Sequence, residues 1–185
     1  MSEVSPQVTH DLRRRVLREG HPEADVAFTG DDDPGALHLA VAEDVGQVVA
    51  VASVLPASCR HRPGRRSWRL RGMAVEPGRQ GTGLGALLLD AVVARTRALG
   101  AEVLWAAGRD SALGFYQRHG WVVVGEGYPA ADDLPHHTVV LDLASVEVER
   151  GVGAFVDRAS AGGDDPGSEA WASSGRLDPS GDEEA

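Results

Sequence analysis

The chain contains 185 residues, 42% of them hydrophobic, and carries a formal net charge of −10 at pH 7. Its length and apolar content are enough for one domain with a single core. The charge is uneven: residues 145–185 hold ten acidic residues and three arginines, so the rest of the chain is only mildly acidic. Without any nucleic-acid-reading motif, this pattern argues against a nucleic-acid partner.

Cysteine usage and hydropathy exclude further classes of protein. Cys59 is the only cysteine, which excludes an intrachain disulfide and a cysteine-rich zinc site, and no metal site is predicted. The N-terminus lacks the apolar run of a signal peptide, and no stretch is long enough to span a bilayer. We therefore expect a cytoplasmic protein with no membrane partner.

The first third of the chain predicts a helix followed by a hairpin. Residues 8–18 have the spacing of a short amphipathic helix, with Thr9 as a candidate N-cap and three arginines on its solvent side. A glycine- and proline-containing breaker occupies 30–35. Two β-type runs, 36–42 and 47–55, then predict an antiparallel hairpin.

The middle of the chain predicts a strand, a glycine-rich loop and a long helix. The arginine-rich residues 60–66 have the character of a loop, and a third strand is expected over 68–75. After the glycine-rich segment, apolar residues form one broad face of a helix over 82–99, which Gly100 ends. This helix is the element that the pattern indicates most strongly.

The remaining elements complete an α+β fold. A strand over 102–106, a helix over 110–119 and two strands over 121–125 and 137–143 follow in order. The strands on either side of the long helix should be parallel neighbours, because a helical crossover joins them. We therefore predict α+β architecture with a mixed central sheet flanked by helices.

The end of the chain differs in character. Residues 145–185 are rich in small and acidic residues and contain proline, so they bury too little apolar surface to offset their ordering entropy. We expect one domain over 1–144 and a disordered tail over 145–185.

The glycine-rich loop predicts an anion site. Glycines let successive backbone N–H groups approach a phosphate, and the following helix adds its own unpaired N–H groups and dipole. The residues concerned are Gln80, Gly81, Thr82, Gly83, Leu84, Gly85 and Ala86. A tight turn that only lets the helix pack closely is the alternative explanation, but such a turn needs one glycine rather than three.

Two phosphate-binding motifs compete for this loop. A nucleoside-triphosphate P-loop requires a lysine, and the chain contains none. A dinucleotide fingerprint fits Gly81-x-Gly83-x-x-Ala86, but five residues, 76–80, separate the strand from the first glycine, and Glu102 stands at the start of the next strand rather than its end. The dinucleotide interpretation is therefore disfavoured.

A third interpretation accounts for more residues. Gln80-x-x-Gly83-x-Gly85 after a strand, followed in order by Ala112-x-x-x-Tyr116-x-x-x-Gly120-Trp121, resembles the acetyl-CoA-binding core of the GNAT N-acetyltransferase superfamily over about residues 36–143. The resemblance implies a splayed mixed sheet with acetyl-CoA, the co-substrate, in its V-shaped opening. It also implies transfer of the acetyl group to a primary amine of a small-molecule or peptide acceptor. Pairing with a second copy of the chain stays open.

The resemblance also suggests where the cofactor lies. The diphosphate of CoA would lie on the N–H groups of residues 80–86, and the pantetheine arm would pair with the strand edge formed by Met73, Ala74 and Val75. Backbone N–H groups of the same edge would stabilise the oxyanion. Many family members have asparagine where this chain has Arg109, which either contacts the cofactor or caps the strand end in water.

Aminolysis of a thioester needs a proton for the departing thiolate and a base for the amine. Tyr116 occupies the position of the family's general acid, although a purely structural role as a core aromatic is the alternative. His136 is our candidate base, and Glu76, His38 and His137 are others. A water chain in place of a single base is a further alternative.

Six arginines lie between positions 60 and 71. Some of them contact the 3′-phosphate of CoA or an acidic substrate, or else they form a solvated connection with Arg69 and Arg71 on the solvent face of the strand. The second interpretation is preferred.

The resulting hypothesis is an acetyl-CoA-dependent N-acetyltransferase acting by direct attack. Cys59 has no recognisable activating relay, so a covalent enzyme intermediate has little support. The alternative is a catalytically silent CoA-binding sensor or interaction module.

Overall fold

The computed structural model describes residues 1–18, 25–43, 46–129 and 134–143. The predicted boundary at 144/145 and the predicted disordered tail lie outside these residues. The strands are β1 (Ser2–Glu3), β2 (Leu37–Ala42), β3 (Val48–Pro56), β4 (Ser67–Val75), β5 (Val103–Arg109), β6 (Val122–Pro129) and β7 (Pro135–Asp142). The helices are α1 (Pro6–Leu17), α2 (Leu84–Ala98) and α3 (Leu113–Arg118), with 3₁₀ turns at Pro77–Arg79 and Asp110–Ala112.

All seven strands belong to one mixed sheet in the order β1-β2-β3-β4-β5-β7-β6. Neighbouring strands are antiparallel except β4 and β5, which are parallel. The connection between these two contains α2, as expected for a helical crossover. The predicted hairpin, the parallel pair and the α+β mixed sheet are confirmed.

The sheet splays between β4 and β5. Their pairing covers only residues 67–70 against 103–106. Beyond that point β4 stays with β3, where Val75 pairs with Ala50, while β5 stays with β7, where Arg109 pairs with His136. The two halves therefore leave one edge of β4 without a strand partner over residues 71–75.

Alternation of side chains along the strands creates two apolar layers. Leu39 and Ala50 belong to the cluster that packs against α2 and α3, whereas the adjacent Ala40 and Val51 pack with Leu12 of α1. Successive residues of a strand point to opposite faces, so α1 covers one face of the sheet and α2 and α3 cover the other.

A β-bulge at Gly72 changes this alternation in β4. Ser53 pairs with Arg71 but Val51 pairs with Ala74, so β4 has one residue more than β3 in this interval. Gly72 has a φ of +57°, and a Cβ atom there would lie 2.7 Å from Nε of Arg13. The bulge therefore requires glycine for its backbone conformation and for the close approach of an arginine from α1.

The prediction for α1 was wrong in two respects. The helix begins at Pro6 after Ser5, so Thr9 is not its cap: it is a buried residue whose Oγ1 donates to the Pro6 carbonyl at 2.6 Å. Arg13 is not on the solvent side but fully buried. A proline at the first helical position sets the start, because its missing N–H needs no partner there.

The observed ends of other elements differ from the predicted ends by a few residues. β5 extends to Arg109 rather than ending at position 106. The helix predicted over 110–119 is a 3₁₀ turn followed by the short α3, and β6 runs four residues beyond the predicted end at position 125. None of the helices in the described parts of the chain is both long and apolar enough to cross a membrane.

Candidate functional site

The glycine-rich loop leads into α2 with its backbone exposed. Gly81 and Gly83 have φ values of +79° and +90°, and a Cβ atom at either would meet nothing within 4 Å. Gly83 is the N-cap of α2, and the first bond of the helix runs from the N–H of Leu87 to its carbonyl at 3.0 Å.

The N–H groups of residues 81–83 make no hydrogen bond to another described residue. Those of residues 84–86 have no partner inside the helix, because the first turn of any α-helix leaves its donors unpaired. Six consecutive backbone donors, those of residues 81–86, therefore lie at the start of α2 without a partner among the described residues.

Gln80 differs from the rest of the predicted loop set. Its N–H donates to the Pro77 carbonyl at 3.3 Å, and its side-chain amide donates to the Val75 carbonyl at 3.2 Å. Gln80 thus holds the loop to the end of β4, and its backbone N–H is already used within the chain.

Several contacts fix the loop beside the split in the sheet. The Thr82 hydroxyl donates to the Arg79 carbonyl at 2.6 Å, and Arg79 forms an ion pair with Glu43 at 2.6 Å. A Cβ atom on Gly85 would lie 3.4 Å from the Phe115 ring and 3.6 Å from Cε of Met73. The start of α2 therefore packs tightly against α3 and against the unpartnered edge of β4.

Tyr116 lies on α3 and is 7% exposed. Its ring packs against Trp121 at 5.2 Å between centroids and against Phe115 at 5.4 Å. A Cβ atom on Gly108 of β5 would lie 3.2 Å from this ring, so Tyr116 sits beside the part of β5 that has separated from β4. Burial raises the pKa of Tyr116 to about 12, which keeps the phenol protonated at neutral pH.

His136 is buried on β7, opposite Arg109 of β5. Its Nδ1 lies 2.8 Å from the Leu134 carbonyl, and its ring stacks with Tyr128 at 6.4 Å between centroids. Strand alternation places His136 on the opposite face of the sheet from α3. The structure therefore does not bring His136 and Tyr116 together on one face. The two side chains could act on one substrate only through the split between β4 and β5.

Arg109 makes a contact that neither of its two expected roles included. Its Nη2 donates to the carbonyl of Leu17, the last residue of α1, at 3.1 Å. A cation at a helix C-terminus satisfies a carbonyl that has no partner in the helix and interacts favourably with the dipole. Arg109 thus joins the β5 half of the sheet to the helix that covers the β4 half.

The other candidate bases are held by structural partners. Both ring nitrogens of His38 are used, by Ser53 Oγ at 2.6 Å and the Asp31 carbonyl at 2.8 Å. Glu76 is ion-paired with Arg15.

His137 also has a structural partner, and Cys59 is buried. Nδ1 of His137 lies 2.7 Å from Oδ1 of Asp110. Cys59 is buried with Val103 and Val140, in agreement with a non-nucleophilic cysteine.

The prediction that Arg69 and Arg71 of β4 lie on a solvent-exposed face was wrong. Arg71 pairs with Asp31 at 3.0 Å and its side chain is 15% exposed. The partly buried Arg69 lies over the Trp105 ring at 4.9 Å. Arg71 also lies over the Phe28 ring at 5.2 Å, and these contacts leave both guanidiniums partly removed from water.

Three of the loop arginines form surface ion pairs with described residues. Arg62 binds Asp142 at 2.7 Å, and Arg65 and Arg66 approach Glu102 at 3.5 and 3.7 Å. These pairs attach the loop to β5 and β7.

Sequence reasoning missed one buried polar network beside the split. Arg13 Nη1 donates to Asp31 at 2.5 Å and to the Val26 carbonyl at 3.0 Å, and its Nη2 donates to Ser53 at 2.5 Å. The only signal for it in the sequence was Gly72, since an isolated glycine within a strand pattern suggests a bulge.

The electrostatics of Asp31 follow from this network. Burial acts to raise the pKa of the carboxyl, but the hydrogen bonds from Arg13 and from the Phe28 N–H, with the charges of Arg13 and Arg71, hold it below the ordinary value. Within the described parts of the chain, no group of three or more His, Cys, Asp or Glu side chains is placed to hold a metal ion.

Comparison with known proteins connects this geometry to a family. Residues 35–123 match the model of a family described as an acetyltransferase (GNAT) domain. The uncharacterized N-acetyltransferase YitI of Bacillus subtilis is 28% identical over 132 residues, which cover 71% of this chain and 85% of that protein.

Solved structures have the same fold. A putative acetyltransferase of the GNAT family from Desulfovibrio desulfuricans is 26% identical with a TM-score of 0.58, covering 76% of this chain and 96% of that one. An aminoglycoside 6′-N-acetyltransferase complexed with coenzyme A aligns with a TM-score of 0.58 at 17% identity, covering 76% and 95%. At that identity the second likeness shows the fold alone.

Proposed function

The chain belongs to the GNAT superfamily of N-acetyltransferases, and from that membership we propose that it transfers an acetyl group from acetyl-CoA to a primary amine. The observation that carries the proposal is the run of six N–H groups at residues 81–86, at the start of α2, that donate to no other described residue. Such donors, together with the helix dipole, suit the diphosphate of CoA.

The unpartnered edge of β4 suits the rest of the cofactor. A pantetheine arm contains two amides, which can pair with the backbone of residues 73–75 as an added strand. This would bring the thioester into the split, beside the ring of Tyr116. N–H groups of Met73, Ala74 or Val75 would then donate to the oxyanion of the tetrahedral intermediate.

The proposed reaction is a direct transfer. The amine nitrogen attacks the thioester carbonyl carbon, a C–N bond forms and the C–S bond breaks. Tyr116 gives its hydroxyl proton to the departing thiolate, and the amine passes its own proton to a base or water. His136 stays a candidate for this base. Because it lies across the sheet from Tyr116, it would act through an intervening water molecule.

Further parts of the hypothesis accompany this reaction. The acceptor is a small molecule or a peptide, no covalent acyl-enzyme forms, and the protein works in the cytoplasm. Arg109 stays a candidate contact to the cofactor, because its bond to the Leu17 carbonyl uses only one of the five guanidinium N–H donors.

The proposal is tested by cofactor binding. Gly83→Glu places a negative charge at the helix entrance, and Gly64→Glu is the matched control because Gly64 also has a positive φ (+74°) and open space at its Cβ position. We expect Gly83→Glu to weaken acetyl-CoA binding by about 100-fold or more, roughly 2.7 kcal/mol, and Gly64→Glu to leave it unchanged.

Calorimetry and thiol release supply the measurements. Unchanged affinity in Gly83→Glu, or no binding of acetyl-CoA to the wild-type protein, would overturn the proposal. Binding without release of free CoA thiol on any amine would instead favour a silent CoA-binding sensor.

A further inference from the structure

The guanidinium of Arg69 has no anionic partner among the residues that the structure describes. Arg69 lies on β4 opposite Trp105 of β5, is partly buried, and has its Nε wholly shielded from solvent without a hydrogen bond. It makes no hydrogen bond or ion pair with any described residue. Burial of a charge costs free energy unless the charge is paired, so an anion would stabilise Arg69 at this position.

Neighbouring arginines are paired with carboxylates. Arg71, two residues further along β4, pairs with Asp31, and Arg62 pairs with Asp142. Burial lowers the pKa of Arg69, and among the described residues only the Tyr128 phenol opposes this effect. No carboxylate of the described residues therefore compensates the buried charge of Arg69.

The side chain of Trp105 forms one side of the site around Arg69. The Trp105 indole lies under the guanidinium and is itself held by a hydrogen bond from Nε1 to the Ala57 carbonyl at 3.1 Å. Strand alternation places Trp105, His136 and Arg69 on the face of the sheet that α1 covers over β2–β4. Among the described residues, no helix packs on this face over β6 and β7.

Arg69 lies next to the split between β4 and β5. The β4–β5 pairing ends one residue later, at Leu70 and Ala106. Met73 lies four residues after Arg69, at most about 13 Å along the strand because the bulge at Gly72 lies between them. Arg69 lies on the α1 face of the sheet and Tyr116 on the α3 face, so a molecule held at Arg69 reaches the proposed site of acetyl transfer through the split. Its carboxylate and its reacting amine are therefore separated by several bonds.

We propose that the acceptor is an amine that also carries a carboxylate several bonds away, and that Arg69 binds this carboxylate against the Trp105 ring. The inference rests on the proposed acetyltransferase function and names its acceptor class. A planar carboxylate matches the two-pronged donor geometry of a guanidinium. Its single negative charge also matches the single positive charge of Arg69, which no described carboxylate compensates.

The test compares acceptors that differ in one group. The full chain is assayed for acetyl-CoA-dependent thiol release with ω-amino carboxylates of three to six carbons and with n-alkylamines and aminoalkyl phosphates of the same length. Arg69→Gln removes the charge, and Arg65→Gln is the matched control because Arg65 is on the surface and pairs with Glu102.

The expected result is a preference of at least tenfold in kcat/KM for the longer amino carboxylates over the alkylamines. This preference should disappear in Arg69→Gln and persist in Arg65→Gln, with acetyl-CoA affinity unchanged in both. Equal use of the two acceptor classes, a preference that survives Arg69→Gln, or a stronger Arg69-dependent preference for the phosphates would each overturn the proposal.

A binding measurement separates this inference from the enzymatic proposal. Calorimetry with 6-aminohexanoate should show binding that Arg69→Gln abolishes, whether or not any thiol is released. Loss of acetyl-CoA binding or turnover alone counts against the proposed function, whereas absence of Arg69-dependent carboxylate binding overturns the present inference. The inference also fails if such binding appears only after Asp132→Asn with Asp133→Asn, since the chain would then supply its own carboxylate.

Discussion

Tyr116 combines two properties that the acid for a departing thiolate needs. Its ring is held by Trp121 and Phe115 and lies against Gly108 of β5, so its position is determined by packing. Burial raises its pKa to about 12, so the proton is present over the whole neutral range. The same burial makes it a weak acid, which suits proton transfer to a thiolate only when the C–S bond is already breaking.

We predict that Tyr116→Phe lowers kcat by about 10²-fold or more, the usual contribution of a general acid. Phenylalanine keeps the ring contacts with Trp121, so acetyl-CoA affinity and the melting temperature should stay close to wild type. Steady-state kinetics and calorimetry on the same preparation measure both. An unchanged kcat would leave Tyr116 as a core aromatic, the structural alternative.

At the scale of elements, β4 connects the fold to the site. Its N-terminal half pairs on both edges, and its C-terminal half pairs only with β3. The bulge at Gly72 lies between the halves, where it turns Met73 toward α2 and Ala74 toward α1. The backbone edge offered to the cofactor therefore depends on one residue that can adopt a positive φ.

We predict that Gly72→Ala destabilises the fold by about 2–4 kcal/mol, since backbone strain adds about 1–3 kcal/mol to a steric clash with Arg13. Gly64→Ala separates the two causes, because Gly64 has a φ of +74° with open space around it. Chemical denaturation of both variants gives the difference. Equal losses of unfolding free energy would mean that close approach of Arg13 contributes nothing.

At the scale of the whole molecule, buried charges attach α1 to the sheet. Arg13 reaches from α1 to Ser53 of β3 and to Asp31, and Arg71 of β4 binds the same carboxylate. Removing one partner of a buried pair leaves an uncompensated charge, which costs more than the pair itself contributes. The position of α1, and of the Leu17 carbonyl that Arg109 binds, depends on this network.

We predict that Asp31→Asn lowers the free energy of unfolding at pH 7 by about 3–5 kcal/mol. The pKa of Asp31 is lowered in the folded state, so its stabilisation is present above the unfolded pKa of about 3.9 and disappears as pH falls through the folded pKa. The wild type should therefore lose stability below about pH 4 more steeply than the variant.

Denaturation with urea from pH 7 to pH 3 measures this difference. Asp11→Asn is the control, because Asp11 pairs with Arg15 on the helix surface with its side chain 80% exposed, and such pairs contribute at most about 1 kcal/mol. Parallel pH profiles of wild type and Asp31→Asn would contradict the role of the buried pair.

The sequence by itself determined the elements whose signals are local. The hairpin, the parallel crossover and the glycine-rich entrance to α2 follow from periodicity and from glycine, and the ordered pair of motifs identified the family. These features depend on residues within a few positions of one another, which a sequence displays directly.

Only the tertiary structure decided which charges are buried. Arg13 and Asp31 are 18 residues apart, and Arg71 lies 40 residues beyond Asp31, so no local pattern shows that they meet. The partial burial of Arg69, the contact of Arg109 with Leu17 and the separation of Tyr116 from His136 likewise depend on strand order. Helical or strand periodicity assigns a charged residue to solvent, and only a distant partner, brought close by folding, offsets the cost of burying it.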